Sequence, residues 1–168
     1  MRFKTVTAAV AVLALVASGA AVAAHQKHSA SRKSGALVEL RTTSLGKVLV
    51  AGNGHTLYLY KPDARNKSNC YGSCASAWPP LLTKGKPRAG AGVRSKLLGV
   101  TMRTDGKHQV TYKGHPLYFY AGDSRAGQTK GEDIGGIWFV LDAAGKQVGP
   151  NASGGTTTGG GGGGYGSY

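Results

Sequence analysis

Acidic side chains are scarce in this chain. Asp and Glu number 7 against 21 Lys plus Arg, a net charge of +14 over 168 residues. So few carboxylates exclude a calcium module built on oxygen ligands. Two cysteines exclude a disulfide-dense mini-scaffold and any zinc site of four thiolates. There is no P-loop, no G-x-G-x-x-G after a strand, no H-E-x-x-H and no G-x-S-x-G. Nor does any apolar stripe of period 3.6 and helical length occur after the N-terminal segment. The length suits one domain, not two.

What is present begins with an export signal. Arg2 and Lys4 form a basic start, Val6 to Val16 is almost wholly apolar, and Ala21-Val22-Ala23 or Val22-Ala23-Ala24 supplies a small-residue cleavage pattern. The run is too short to span about 30 Å of hydrocarbon, so no transmembrane segment is expected after cleavage. The expected order is a signal peptide over residues 1–24, a basic disordered arm over 25–35, a β domain over 36–149 and a disordered Gly-rich tail over 150–168. The tail is half glycine from Asn151 onward, with a run from Gly159 to Gly164, and cannot bury a core.

The middle of the chain is duplicated at an offset of 60. Gly54-His55 matches Gly114-His115, Leu57-Tyr58 and Tyr60 match Leu117-Tyr118 and Tyr120, Asp63 and Arg65 match Asp123 and Arg125, and Trp78 matches Trp138. Residues 46–86 show 14 identities in 41 without a gap, where chance gives about two or three. The repeats run over about 36–92 and 93–149. A unit of this size buries only about 60% of its unfolded surface, so the two are expected to share one core. The fold class is all-β: a single domain of two pseudo-symmetric antiparallel β repeats, sandwich- or barrel-like.

Each repeat is expected to open with a hairpin. Asn53-Gly54 and Lys113-Gly114 sit where a two-residue type I′ turn would fall, Lys113 being the strained choice for positive φ. That register sets Val50 opposite Leu57 and Val110 opposite Leu117. Alternation then puts Val48, Val50, Leu57 and Leu59 on one face with Val110, Leu117 and Phe119, and Tyr58, Tyr60, Tyr118 and Tyr120 on the other. Further strands are expected at Leu37–Thr42, Leu97–Arg103, Ile137–Leu141 and Lys146–Val148. Pro79-Pro80 replaces Phe139-Val140 in the first copy, which predicts an edge or loop there.

The segments Tyr58-Leu-Tyr60-Lys-Pro-Asp63 and Tyr118-Phe-Tyr120-Ala-Gly-Asp123, with Cys70-Tyr-Gly-Ser-Cys74, Ala77-Trp78-Pro79-Pro80 and Gly135-Gly136-Ile137-Trp138, carry a family resemblance. Over about residues 45–142 the chain resembles the bacterial secreted repeat of unknown function, also described as predicted lipoproteins with a Y-x-(F/W/Y)-x-x-D motif. The resemblance implies an exported, β-rich envelope protein and no established activity. Many relatives carry a lipid-anchor Cys, and this sequence has none near its cleavage site.

Tyr58, Tyr60, Asp63, Tyr118, Tyr120, Asp123, Trp78 and Trp138 are the candidate ligand-binding residues. Four Tyr on one face could stack on a planar ligand. The rival arrangement, and the favoured one, has Lys61–Ala77 and Ala121–Gly136 fold back over that face with the two Trp filling the gap. Asp63 and Asp123 then serve their own turns. Flanking a glycosidic bond is the alternative use of the two carboxylates. Cys70 and Cys74, in an exported chain, are expected to form a local disulfide; a redox dithiol would more usually be C-x-x-C. His55 and His115 stand at equivalent hairpin tips and could hold haem or a transition metal, but no supporting ligands accompany them. The excess of base points to anionic cell-wall polymers as partners, while export removes nucleic acid as an expected one. No catalytic residues and no cofactor are assigned: the reading is a secreted, non-enzymatic envelope or cell-wall-associated protein that binds or builds, with a haem, metal or redox module as the alternative.

Overall fold

The computed structural model describes residues 35–149; the signal segment, all of the arm but Gly35, and the tail lie outside the described residues. In chain order the strands are β1 (Leu37–Thr43), β2 (Gly46–Ala51), β3 (Tyr58–Tyr60), β4 (Arg88–Ala89), β5 (Leu98–Met102), β6 (His108–Tyr112), β7 (His115–Pro116), β8 (Trp138–Leu141) and β9 (Gln147–Val148). The only α-helix among the described residues is the single turn α1 (Ser73–Ala77). Among them no helix is long and apolar enough to cross a membrane. The strands form three small sheets, ordered β2-β1-β4, β3-β8-β9 and β5-β6-β7.

Gly35, assigned to the arm, is instead buried. A Cβ there would fall 1.8 Å from the Lys86 carbonyl oxygen, so the chain is already packed at this point.

The repeats exchange strands across a pseudo-twofold axis. Tyr58 and Tyr118 trade backbone hydrogen bonds, N to O, at 2.9 and 3.0 Å. On one side of that pair β3 lies against β8, with Tyr58 opposite Val140. On the other, Pro80 pairs with Tyr118, the same relation with the repeats interchanged. Phe119 N–H donates to Pro79 O (2.8 Å) and Leu81 N–H to Leu117 O (2.9 Å), so the prolines are placed where acceptors alone are needed. Each first-strand segment of the motif is therefore paired with the end of the other repeat.

The hairpin expectation holds in the second copy and fails in the first. Lys113 and Gly114 both have positive φ (53° and 86°), and Leu117 N–H donates to Val110 O at 3.0 Å, the expected two-residue loop and register. In the first copy Gly54 alone is left-handed, at φ 81°. Gly54 N–H donates to Ala51 O and Ala51 N–H to His55 O (2.7 and 2.9 Å). This is a three-residue loop ending in a left-handed glycine, and Val50 faces Thr56, not Leu57. The preceding connection compensates. Thr43 faces Gly46 across two residues, whereas β5 and β6 are joined around Gly106 with Arg103 N–H donating to Lys107 O. β2 has thus slid by one residue relative to β6, and its neighbours have not.

A one-residue slide exchanges faces. Leu49 and Ala51 join Leu57, Leu59, Leu81, Val110, Tyr112, Leu117, Phe139 and Leu141 in one buried cluster. Val48 goes to the other side with Tyr58, Cys70, Trp78, Tyr118, Trp138 and Val140. Both clusters draw on both repeats, so the central strands are buried on both faces and the two copies share their core.

Candidate functional site

The second cluster holds Tyr58, Tyr118, Trp78 and Trp138, with Tyr60 and Tyr120 packed against it. Tyr58 and Tyr118 are fully buried, and Trp78 and Trp138 are 5% and 3% exposed. The segments after each motif cover this face, so Tyr58 and Tyr118 present no open platform; Tyr60 and Tyr120 remain half-buried at its ends. Trp78 and Trp138 stack with ring centroids 3.8 Å apart and planes within 3°. Tyr60 stacks on Trp138 at 4.2 Å and Tyr120 on Trp78 at 4.4 Å. The result is one column, Tyr60–Trp138–Trp78–Tyr120. Tyr58 meets Trp78 edge-on at 5.4 Å, and Tyr118 meets Trp138 at 5.3 Å, a geometry in which ring edges face the π clouds. Gly131 is required beside the column: a Cβ would sit 2.8 Å from the Trp78 ring and 2.9 Å from that of Tyr58.

The hydroxyls are bound across the axis. Tyr58 donates to Asp123 Oδ2 and Tyr118 to Asp63 Oδ2, each at 2.6 Å. The second oxygens serve turns: Asn69 N–H donates to Asp63 Oδ1 (2.7 Å) and Lys130 N–H to Asp123 Oδ1 (3.0 Å). Each Asp therefore organises its own loop and locks the tyrosine of the other repeat. Burial, with the carboxylate beside it, raises both phenol pKa values far above their ordinary range. Burial also raises Asp63, against the pull of Tyr118, Asn69 and the Arg103 charge. Neither Asp is paired with Arg65 or Arg125.

Ser68, Gln109 and Arg103 were not singled out by sequence, and they complete the Tyr118 side. Arg103 is 3% exposed. It donates to Ser68 Oγ (2.8 Å), Gln109 Oε1 (2.6 Å) and Cys70 O (2.7 Å) and lies over the Tyr71 ring at 4.3 Å. Ser68 Oγ is 2.8 Å from the Tyr118 hydroxyl. Gln109 lies between Lys107 and Thr111 on its face of the strand, so nothing in the sequence marks it as buried; once buried, its amide demands partners. Cys70 and Cys74 are disulfide-bonded; so small a loop contributes about 2 kcal/mol in the chain-entropy model and braces the segment that Arg103 holds.

His55 and His115 stay at their tips, half-buried. Burial and the charges of Lys113 and Arg65 hold His115 below its ordinary pKa, and those cations oppose a metal ion at that site. No group of three His, Cys, Asp or Glu among the described residues is placed to hold a metal.

The surface is cationic. Among the described residues every Lys and Arg but Arg103 is exposed, while Asp105 is the one exposed acid. An open cleft of about 580 Å³ is lined by Ala36, Leu82, Thr83, Lys84, Gly106, Lys107 and His108, and a smaller one beside it shares Lys84 and His108. Neither contains an acid.

None of the curated proteins and none of the solved structures compared with the chain matches it. A family model described as a secreted repeat of unknown function matches residues 39–82 and again 99–142, the offset of 60 at which the two halves superpose in sequence. With more than half of its length so matched, the chain belongs to this family of secreted repeats and is an extracellular protein.

Proposed function

We propose that this is a non-enzymatic envelope or cell-wall-associated protein that binds anionic wall polymers. The observation that carries the reading is the sorting of charge. Four of the seven acids are engaged within the fold: Asp63 and Asp123 bind tyrosines, Glu132 accepts from Val140 N–H, and Asp142 accepts from Ala144 and Lys146 N–H; Asp105 alone is exposed. Among the described residues the bases other than Arg103 are left outside. A surface of one sign attracts polyanions over a Debye length and holds them through many weak contacts. The carboxylates that a glycosidase would need are engaged on phenols, and neither lines the two clefts.

Co-sedimentation of the purified protein with isolated bacterial cell walls tests this. Retention at about 0.15 M salt, where the Debye length is about 8 Å, should be lost at about 1 M, where it is about 3 Å. The double variant Lys84→Glu/Lys107→Glu should release at lower salt than the parent. Retention that ignores salt contradicts the proposal.

A further inference from the structure

The aromatic column has features that hydrophobic filling does not require. Four rings stack continuously from one half-buried tyrosine to the other, and the two indoles at its centre are parallel at 3.8 Å. Overlapping π systems share an electron vacancy. A phenol that loses an electron becomes a strong acid and must shed its proton at once. Tyr58 and Tyr118, in edge contact with the indoles, each donate to a carboxylate at 2.6 Å. Filling the space would be served equally by phenylalanine, without a carboxylate placed at each phenol.

We propose that the column is a relay for oxidising equivalents, accepting them from one-electron oxidants of the extracellular medium, such as oxygen-centred radicals or high-potential metal complexes. The oxidant meets Tyr60 or Tyr120 at an end of the column and takes one electron from the Trp78–Trp138 pair across that stacked ring, the phenol keeping its proton, and is itself reduced by one electron. The vacancy on the Trp pair then passes to Tyr58 or Tyr118. At Tyr118 the phenol O–H bond breaks, its proton forms an O–H bond with Asp63 Oδ2, and a neutral tyrosyl radical remains. Asp123 receives the proton of Tyr58 in the same way. A one-electron reductant from the medium, with return of the proton, restores the resting state. The buried phenols cannot ionise beforehand, because burial and the adjacent carboxylates hold their pKa values high; the proton therefore moves with the electron. This reading is independent of the polymer-binding proposal.

Flash-quench oxidation of the full chain with tris(bipyridine)ruthenium(II) and an irreversible electron acceptor tests it by transient absorption and electron paramagnetic resonance. The expected sequence is a tryptophan radical that decays into a long-lived tyrosyl radical. Tyr58→Phe/Tyr118→Phe should lose the long-lived component and keep only short-lived signals from the remaining tyrosines. A tryptophan radical that decays with no long-lived tyrosyl in the parent overturns the relay. So does a long-lived signal undiminished in the double variant. Should that variant fail to fold, the parent in D₂O decides: slower growth of the long-lived radical supports proton transfer to Asp, and an unchanged rate overturns it.

Discussion

Tyr118 and Asp63 show how one side chain can bind two repeats. The phenol crosses the axis, and the Asp that receives it also holds the turn that follows its own motif. Tyr118→Phe keeps the ring packed against Trp138 but leaves Asp63 Oδ2 without its phenol. Losing a hydrogen bond to a charged, half-buried group costs about 1.5–3 kcal/mol, and that loss is expected in urea denaturation at pH 7. Half of this was legible. Alternation identified the tyrosines, and the turns after each strand identified the role of the Asp. The crossing was hidden because two identical motifs offer each Asp two equivalent tyrosines, and only the strand exchange decides between them.

Glu132 is a second residue-scale case. Burial, against the Val140 N–H and with the Asp133 charge, pushes its pKa up to about 7, and its Oε1 has no hydrogen-bond partner among the described residues. Between the ordinary carboxylate value and about pH 7 the folded chain holds a proton that the unfolded chain has lost. Stability from this group is therefore present at low pH and falls as pH rises through about 7. Glu132→Gln should flatten the Tm profile between about pH 4.5 and 7 and raise Tm above pH 7. A profile unchanged by the substitution contradicts the assignment.

At the scale of elements, the lesson lies in β2. An ungapped duplication implies equal registers, yet β2 is displaced by one residue, because a two-residue loop before it and a three-residue loop after it replace the reverse order around β6. The displacement leaves no trace in an alignment, since the loop lengths cancel. Leu49 could take the core position of Val110 because Val48-Leu49-Val50-Ala51 is apolar on both faces and supports either register. Asn53-Gly54 suggested a two-residue turn, but Gly52 adds a third permissive residue, and the Asn53 side chain accepts from His55 N–H at 3.2 Å. The Lys113-Gly114 turn adopts the tight form with a residue poorly suited to it, at φ 53°. Lys113→Asn should stabilise the protein by roughly 1 kcal/mol, since Asn tolerates the left-handed region and Asn-Gly is the favoured pair. Chemical denaturation gives the comparison, and a destabilised variant would show that the Lys stem contributes more than its backbone costs.

For the whole molecule, duplication explains both the architecture and the surface. A repeat of about 55 residues has too little interior to stand alone, and here each lends its strand, its tyrosine and its loop to the other. With Asp105 the one acid exposed among the described residues, their surface is basic, which is what an anionic wall would meet.

The shared core is tested most directly by expressing residues 36–92 and 93–149 as separate chains and recording two-dimensional amide NMR spectra of each and of their mixture. The account predicts collapsed, unfolded-like dispersion for either alone and a dispersed, folded spectrum on mixing. A dispersed spectrum with cooperative melting from one half by itself would contradict it.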